Sequence, residues 1–164
     1  MALVNEDYRD LMNAVHRKDL DAFKRELSKI KNCENYHPKH CLYAKTQDNC
    51  VHLIAQLGLV DFLLELIKIS GSDLLQVGNV DGKTPLHDAA QFSQFGVSKI
   101  LLDNGVKVDP LKRADWTPLM LACTKTGEES RQVIQLLISR GANLQCRNKV
   151  NYSKCKISKD NTDI

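Results

Sequence analysis

A seven-residue signature returns along this chain at a nearly fixed interval, and that periodicity restricts the fold more than any other feature. Thr84-Pro85-Leu86-His87-Asp88-Ala89-Ala90 recurs 33 residues later as Thr117-Pro118-Leu119-Met120-Leu121-Ala122-Cys123. A weaker copy, Asn49-Cys50-Val51-His52-Leu53-Ile54-Ala55, stands 35 residues before the first of these. Units of this length cannot bury their apolar faces alone, so they must stack on their neighbours.

Each copy is followed by a second apolar segment with helical spacing: Phe62 to Ile67, Val97 to Leu102 and Val133 to Ile138. The unit is therefore a pair of helices. Thr84 and Thr117 are suited to cap a helix, and Pro85 and Pro118 then occupy the first turn, where no N–H is needed. Leu86 and Leu119 point inward. Ala89, Ala90 and Ala122 are small enough to let adjacent helices approach. Gly105 and Gly141 fit the left-handed position after a helix end. His87 is expected to bond the cap hydroxyl or a neighbouring backbone group, since no nucleophile or acid recurs beside it. Three extra residues near Thr126-Gly127-Glu128-Glu129-Ser130 fall between the helices of the last unit, where a surface loop absorbs them at little cost.

These motifs resemble the ankyrin repeat family. The resemblance covers about residues 5 to 148 and rests on Thr-Pro-Leu-His-x-Ala-Ala followed by a Leu-Leu-x-x-Gly helix end. The chain departs from the pattern in three places. The first copy lacks Thr-Pro, Ser93-Gln94 replace the usual Gly-His, and Met120 replaces His. The resemblance implies an all-α solenoid of stacked helix-turn-helix units with short β-turn fingers. It also implies a non-catalytic protein-interaction module that binds through fingertip turns and concave inner helices.

The expected organisation is a capping helix pair at 5–30, a linker loop at 31–46, repeats at 47–79, 80–113 and 114–148, and a disordered tail at 149–164. In the cap, Leu11, Ala14 and Val15 form one apolar stripe and Leu20, Phe23 and Leu27 another. Arg9, Asp10, Lys24, Arg25 and Glu26 are assigned to its wet outer faces. The linker holds Cys33, His37, His40 and Cys41, with Cys50 and His52 just beyond. Their spacing matches no common zinc pattern, so no metal is expected. Beyond Asn148 no second half-repeat follows, and the chain is expected to be a shortened form of a longer array. The last helix pair would then expose apolar side chains or be covered by a partner.

Counting back from the Thr-Pro pairs places Val80, Asp81 and Lys83 at one fingertip and Arg113, Ala114 and Trp116 at the next. Lys45, Thr46 and Asp48 are the matching positions of the first repeat. On the inner helices Gln56, Gln91, Phe92, Thr124 and Lys125 are expected to face the groove. Trp116, the single Trp, has two readings: a binding anchor, or a ring packed along Leu111 and the neighbouring tip. Lys112 and Arg113 would suit an acidic patch on the partner.

A closer resemblance, to one member of the family, is carried by Asp109 to Thr124. Its distinctive part is Lys112-Arg113-Ala114-Asp115-Trp116 before Thr-Pro-Leu-Met, with Gly141-Ala142-Asn143 and Asn148-Lys149 also similar. This resemblance implies an association with alanyl-tRNA synthetase that limits serine mischarging, with Lys149 as a serine acceptor. The lysine that the resemblance places before Ala-Asp-Trp is Arg113 here, and a guanidinium stays protonated and cannot be a nucleophile.

Composition excludes several other classes. A net charge of +3 is too small to argue for nucleic acid. The apolar stretch from Leu57 to Ile69 is far short of the ~20 residues of a spanning helix. Glu6, Asp7 and Asp10 leave no room for a signal peptide at the start, so a cytoplasmic or nuclear location and free thiols are expected. There is no phosphate loop, His-Glu-x-x-His or nucleophile elbow. Cys123, at the repeat's small position, is expected to be a core thiol. Neither catalysis nor a cofactor is expected.

Overall fold

The computed structural model describes residues 3–31 and 47–149, which form eight α-helices and no strand longer than an isolated bridge. The helices are α1 (Leu3–Arg17), α2 (Leu20–Lys31), α3 (Cys50–Leu57), α4 (Val60–Ser70), α5 (Pro85–Gln91), α6 (Phe95–Asp103), α7 (Pro118–Ala122) and α8 (Glu128–Ser139). They alternate between two layers. In one, α1, α3, α5 and α7 pack in sequence; in the other, α2, α4, α6 and α8 do so. The result is the all-α stack of helix pairs that the periodicity demands.

Each first helix starts where its capping residue stands. Asn49 caps α3 by accepting the His52 N–H on Oδ1 at 3.1 Å, and Thr117 caps α7 by accepting the Met120 N–H at 3.2 Å. Thr84 occupies the same place before α5, with Pro85 first in the helix. The second helices close on Gly105 and Gly141, whose φ values of 78° and 86° lie in the left-handed region.

The interior is built from aliphatic side chains. Val51, Ile54, Leu63, Leu66, Leu86, Leu101, Val133 and Leu137 are buried, each worth roughly 1.5–3 kcal/mol relative to exposure. Ala55, Ala89, Ala90 and Ala122 are fully buried, as close helix approach requires. At the first pair, Leu11, Ala14, Val15, Phe23 and Leu27 are buried, and Phe23 packs on Phe62 of α4 with centroids 5.0 Å apart. This pair covers the first repeat. Glu26 departs from its assignment to a wet face: it is buried, with Lys29 Nζ 2.9 Å from its carboxylate. Lys24 reaches across to α4, within 3.8 Å of Glu65.

At the other end of the described chain, Leu121, Ile134, Leu136 and Leu137 are all buried. None of the exposed large apolar side chains lies on α7 or α8, contrary to the expectation for the last pair. The linker at 32–46, with Cys33, His37, His40, Cys41, Lys45 and Thr46, and the tail beyond 149 lie outside the described residues.

Histidine ties one repeat to the next. His87 Nδ1 accepts the Thr84 N–H at 3.1 Å, which leaves Nε2–H to donate to the Trp116 carbonyl at 3.0 Å. His52 does the same one repeat earlier, accepting the Asn49 N–H at 3.1 Å and donating to the Lys83 carbonyl at 2.8 Å. The ring thus caps its own helix and holds the fingertip of the following repeat. Removing it would orphan a buried N–H and a carbonyl together. His87→Ala is expected to cost about 2–4 kcal/mol of stability, read by urea denaturation; a loss below about 0.5 kcal/mol would show that the ring bonds are dispensable.

Candidate partner-binding groove

The fingertips are short backbone turns. Asn79 N–H donates to the Lys83 carbonyl at 2.9 Å, and Lys112 N–H donates to the Trp116 carbonyl at 3.0 Å. In the first of these, Asn79 Oδ1 also accepts the N–H groups of Asp81 and Lys83, each at 3.0 Å. Successive tips join through main chain: Arg113 N–H to Asp81 O at 2.7 Å, then Lys149 N–H to Ala114 O at 3.1 Å. Val80, Asp81, Arg113 and Lys149 are exposed along this row. Arg113 lies 3.5 Å from the Asp81 carboxylate, and Lys149 lies 3.9 Å from Asp115. Lys112 is half-buried beside them.

Lys83 takes a different course from its tip neighbours. Its ammonium folds inward, 2.9 Å from Asp88 Oδ1 and 3.7 Å from Asp48 Oδ1, and only 18% of its side chain is exposed. Gln56 Nε2 donates to Asp88 Oδ1 at 3.1 Å, and Asn79 Nδ2 donates to Asp48 Oδ1 at 2.8 Å. Asp88 Oδ2 is buried and has no hydrogen-bond partner among the described residues.

The three repeats place equivalent residues side by side. Offsets of 35 and 33 residues align Asp48, Lys83 and Trp116 in one row, immediately before the capping residues. The same offsets align Leu53, Asp88 and Leu121 in a second row on the inner helices. Asp88 thus stands where both neighbouring repeats carry leucine. Asp88 and Gln91 are spaced i and i+3 on one face of α5, and Phe92, whose N–H bonds the Asp88 carbonyl, follows at its C-terminal end; Gln91 is half-buried and Phe92 is 48% exposed. The corresponding Thr124 and Lys125 are exposed but lie beyond the end of α7 rather than on an inner helix, and Trp116 is half-buried.

The sequence singled out the tip positions and Gln56, Gln91, Phe92, Thr124 and Lys125 as candidates. It did not single out Asp88, which the motif carries at a variable position. Comparing the copies reveals it, because a charge has replaced leucine. Cys123 also departs from expectation. It is half-buried at the end of α7, packed against the core, and it is disulfide-bonded, whereas Cys146 is a free thiol.

Burial dominates the electrostatics here. It pushes the Asp88 carboxyl up to about 6, against the pull of Lys83, and it lowers His87 to about 4 and His52 below its ordinary value. Asp48, His52 and Asp88 offer ligand atoms within 4.8 Å of one another. However, His52 uses both ring nitrogens on backbone groups, and the cation between the two carboxylates is Lys83.

The two kinds of group drive stability in opposite directions. The folded chain binds protons on His87 more weakly than the unfolded chain, so stability present above pH 6.5 is lost as pH falls toward 4. Folded Asp88 takes up its proton more readily than the unfolded group, so its contribution rises as pH falls through about 6 toward 3.8. Between pH 7 and pH 5, Asp88 should offset about 1 kcal/mol of the histidine loss. Asp88→Asn is therefore expected to lose about 1 kcal/mol more than the unaltered chain over that interval, measured by urea titration at the two pH values; parallel losses would refute the assignment.

Comparison with known proteins agrees with the geometry. The family model for ankyrin repeats in three copies matches residues 11–112 and 51–148, more than half of the chain. The ankyrin repeat protein FPV219 of fowlpox virus (strain NVSL) is 38% identical over 80 residues, which cover 44% of this chain. The chain matches only 18% of that relative's length. From the stacked helix pairs, the capped first helices and the matching family model, the chain belongs to the ankyrin repeat family.

Proposed function

We propose that the chain is a non-catalytic binding module that holds a protein partner between its fingertips and its inner helices. The contact surface comprises Val80, Asp81, Lys112, Arg113 and Trp116 at the tips, with Gln91, Phe92, Thr124 and Lys125 along the groove. The supporting observation is the row Asp48, Lys83 and Trp116, which sets three chemically different side chains at one equivalent position of a uniform framework. Framework residues repeat because stacking needs them; variation at one aligned position is what recognition needs. Lys83 lies within the groove, paired to Asp88 and Asp48, rather than as a free tip. No helix among the described residues is long and apolar enough to cross a membrane. A cytoplasmic or nuclear partner fits this reading, which involves no membrane or nucleic acid.

A narrower reading follows from the likeness of residues 109–124 to ankyrin repeat domain-containing protein sixteen. In it, the partner is alanyl-tRNA synthetase and Lys149 accepts misactivated serine. Its support is that the Lys149 side chain is 73% exposed, where an aminoacyl adenylate can reach it. An unprotonated amine would attack the activated carbonyl and release AMP. Incubation with seryl adenylate followed by peptide mass spectrometry would show serine on Lys149, and an unmodified Lys149 would remove this reading.

Trp116→Ala tests the broader one. The carbonyl that His87 and Lys112 use remains, so the variant loses the ring alone. Once a partner has been identified by co-purification, affinity is expected to fall by about tenfold or more while stability changes by about 1 kcal/mol. A large fall in melting temperature with unchanged affinity would instead assign the ring to tip packing.

A further inference from the structure

Asp88 is a costly residue for the fold. Its side chain is only 1% exposed. It occupies a position where the neighbouring repeats carry Leu53 and Leu121. One of its oxygens, Oδ2, is buried without a hydrogen-bond donor among the described residues. A buried acceptor left unpaired carries its full desolvation penalty. The stacking framework offers a ready alternative, because leucine serves in both adjacent copies. Its other oxygen serves the fold, held by Lys83 and Gln56, but Oδ2 gains nothing there, and a local rule broken at such a cost points to function.

The surroundings specify a ligand chemistry. Two carboxylates, Asp48 and Asp88, share one cation, Lys83. His52, the other titratable group beside them, is tied to backbone on both nitrogens. Gln56 and Asn79 add neutral amide contacts. Asp88 Oδ2 stays buried and unused beside them. Lys83 belongs to a fingertip, and its side chain is long enough to swing toward solvent. The cluster is built around an ammonium and holds the chain's own while no other is offered.

We propose that Asp48 and Asp88 form a binding site for a lysine or arginine side chain of a polypeptide lying in the groove, which displaces Lys83. The proposal rests on the interaction-module reading and specifies the partner's chemistry. Phe92, at the C-terminal end of α5, adds a second element of recognition. Phe92 lies one helical turn from Asp88, about 6 Å along the axis. An extended peptide covers that distance in about two residues. The preferred segment therefore carries a basic residue and, about two residues away, an apolar one that covers Phe92.

Selection of random dodecapeptides against the full chain, followed by affinity measurement, tests this. Selected peptides are expected to share a Lys or Arg, and replacing it with norleucine or citrulline should weaken binding about tenfold or more, as loss of a charge-assisted pair does. Asp88→Leu restores the residue type of the other repeats. It is expected to raise the melting temperature and to abolish the preference for the basic residue, leaving the norleucine peptide bound as before. Asp88→Asn, with the original shape, should lose the same preference. Lys83→Met removes the internal competitor and should tighten binding several-fold. Binders without a basic consensus, or affinities unchanged in Asp88→Leu and Asp88→Asn, would overturn the site while leaving the interaction module intact. Unchanged affinity in Lys83→Met would overturn the displacement. A selection that yields no binder would count against the module reading itself.

Discussion

The imidazole that closes one helix and grips the next fingertip is the bond on which this architecture turns. A helix pair of this size has too little core to stand alone, and stacking aliphatic faces gives adhesion without register. His52 and His87 supply the register. Each ring lies flush in its own helix terminus, with one nitrogen on the N–H before it and the other on a carbonyl of the following unit. The spacing between repeats is thereby fixed at the level of single hydrogen bonds. At the third repeat Met120 stands in the same place, buried and without that capacity. There Thr117 still caps its helix, so the cap survives where the tie does not.

The framework was legible because its requirements are local. A threonine before a proline, a leucine, a histidine and two small residues each solve a problem within one turn of chain, and the period repeats the solution. The first copy, lacking Thr-Pro, folds the same way because Asn49 performs the capping that threonine performs elsewhere. Contacts between units were harder to read. Glu26 and Lys24 look like solvated charges on a helix, yet Glu26 is buried beside Lys29 and Lys24 reaches across to Glu65 of α4. Lys83 looks like an exposed tip residue, but two carboxylates from separate segments draw it into the groove. Long, flexible charged side chains follow whatever field the fold creates, and that field exists only after the repeats have been stacked.

Asp88 illustrates the same boundary from the other side. Within its own motif it is an ordinary variable residue. Its significance appears only when three copies are superposed and leucine is found on both sides. The energetic conflict is then plain, since burial raises its proton affinity and Lys83 reduces it only in part. The groove is therefore unequal along its length, with one polar step between two apolar ones. A uniform scaffold thus acquires a polarity that a bound segment can read.

The fingertips differ from one another in backbone as well as in side chain. Gly82 adopts a left-handed φ of 71°, and at the equivalent place the next tip has Asp115 at 60°, preceded by Ala114 at 63°. Despite this difference in residue and conformation, the two tips remain joined by an amide and a carbonyl. Cohesion between neighbouring tips is thus assigned to atoms that every amino acid possesses. Mutation can rewrite the chemistry displayed there while the adhesive stays the same, which lets such a surface diversify rapidly without first having to rebuild its support.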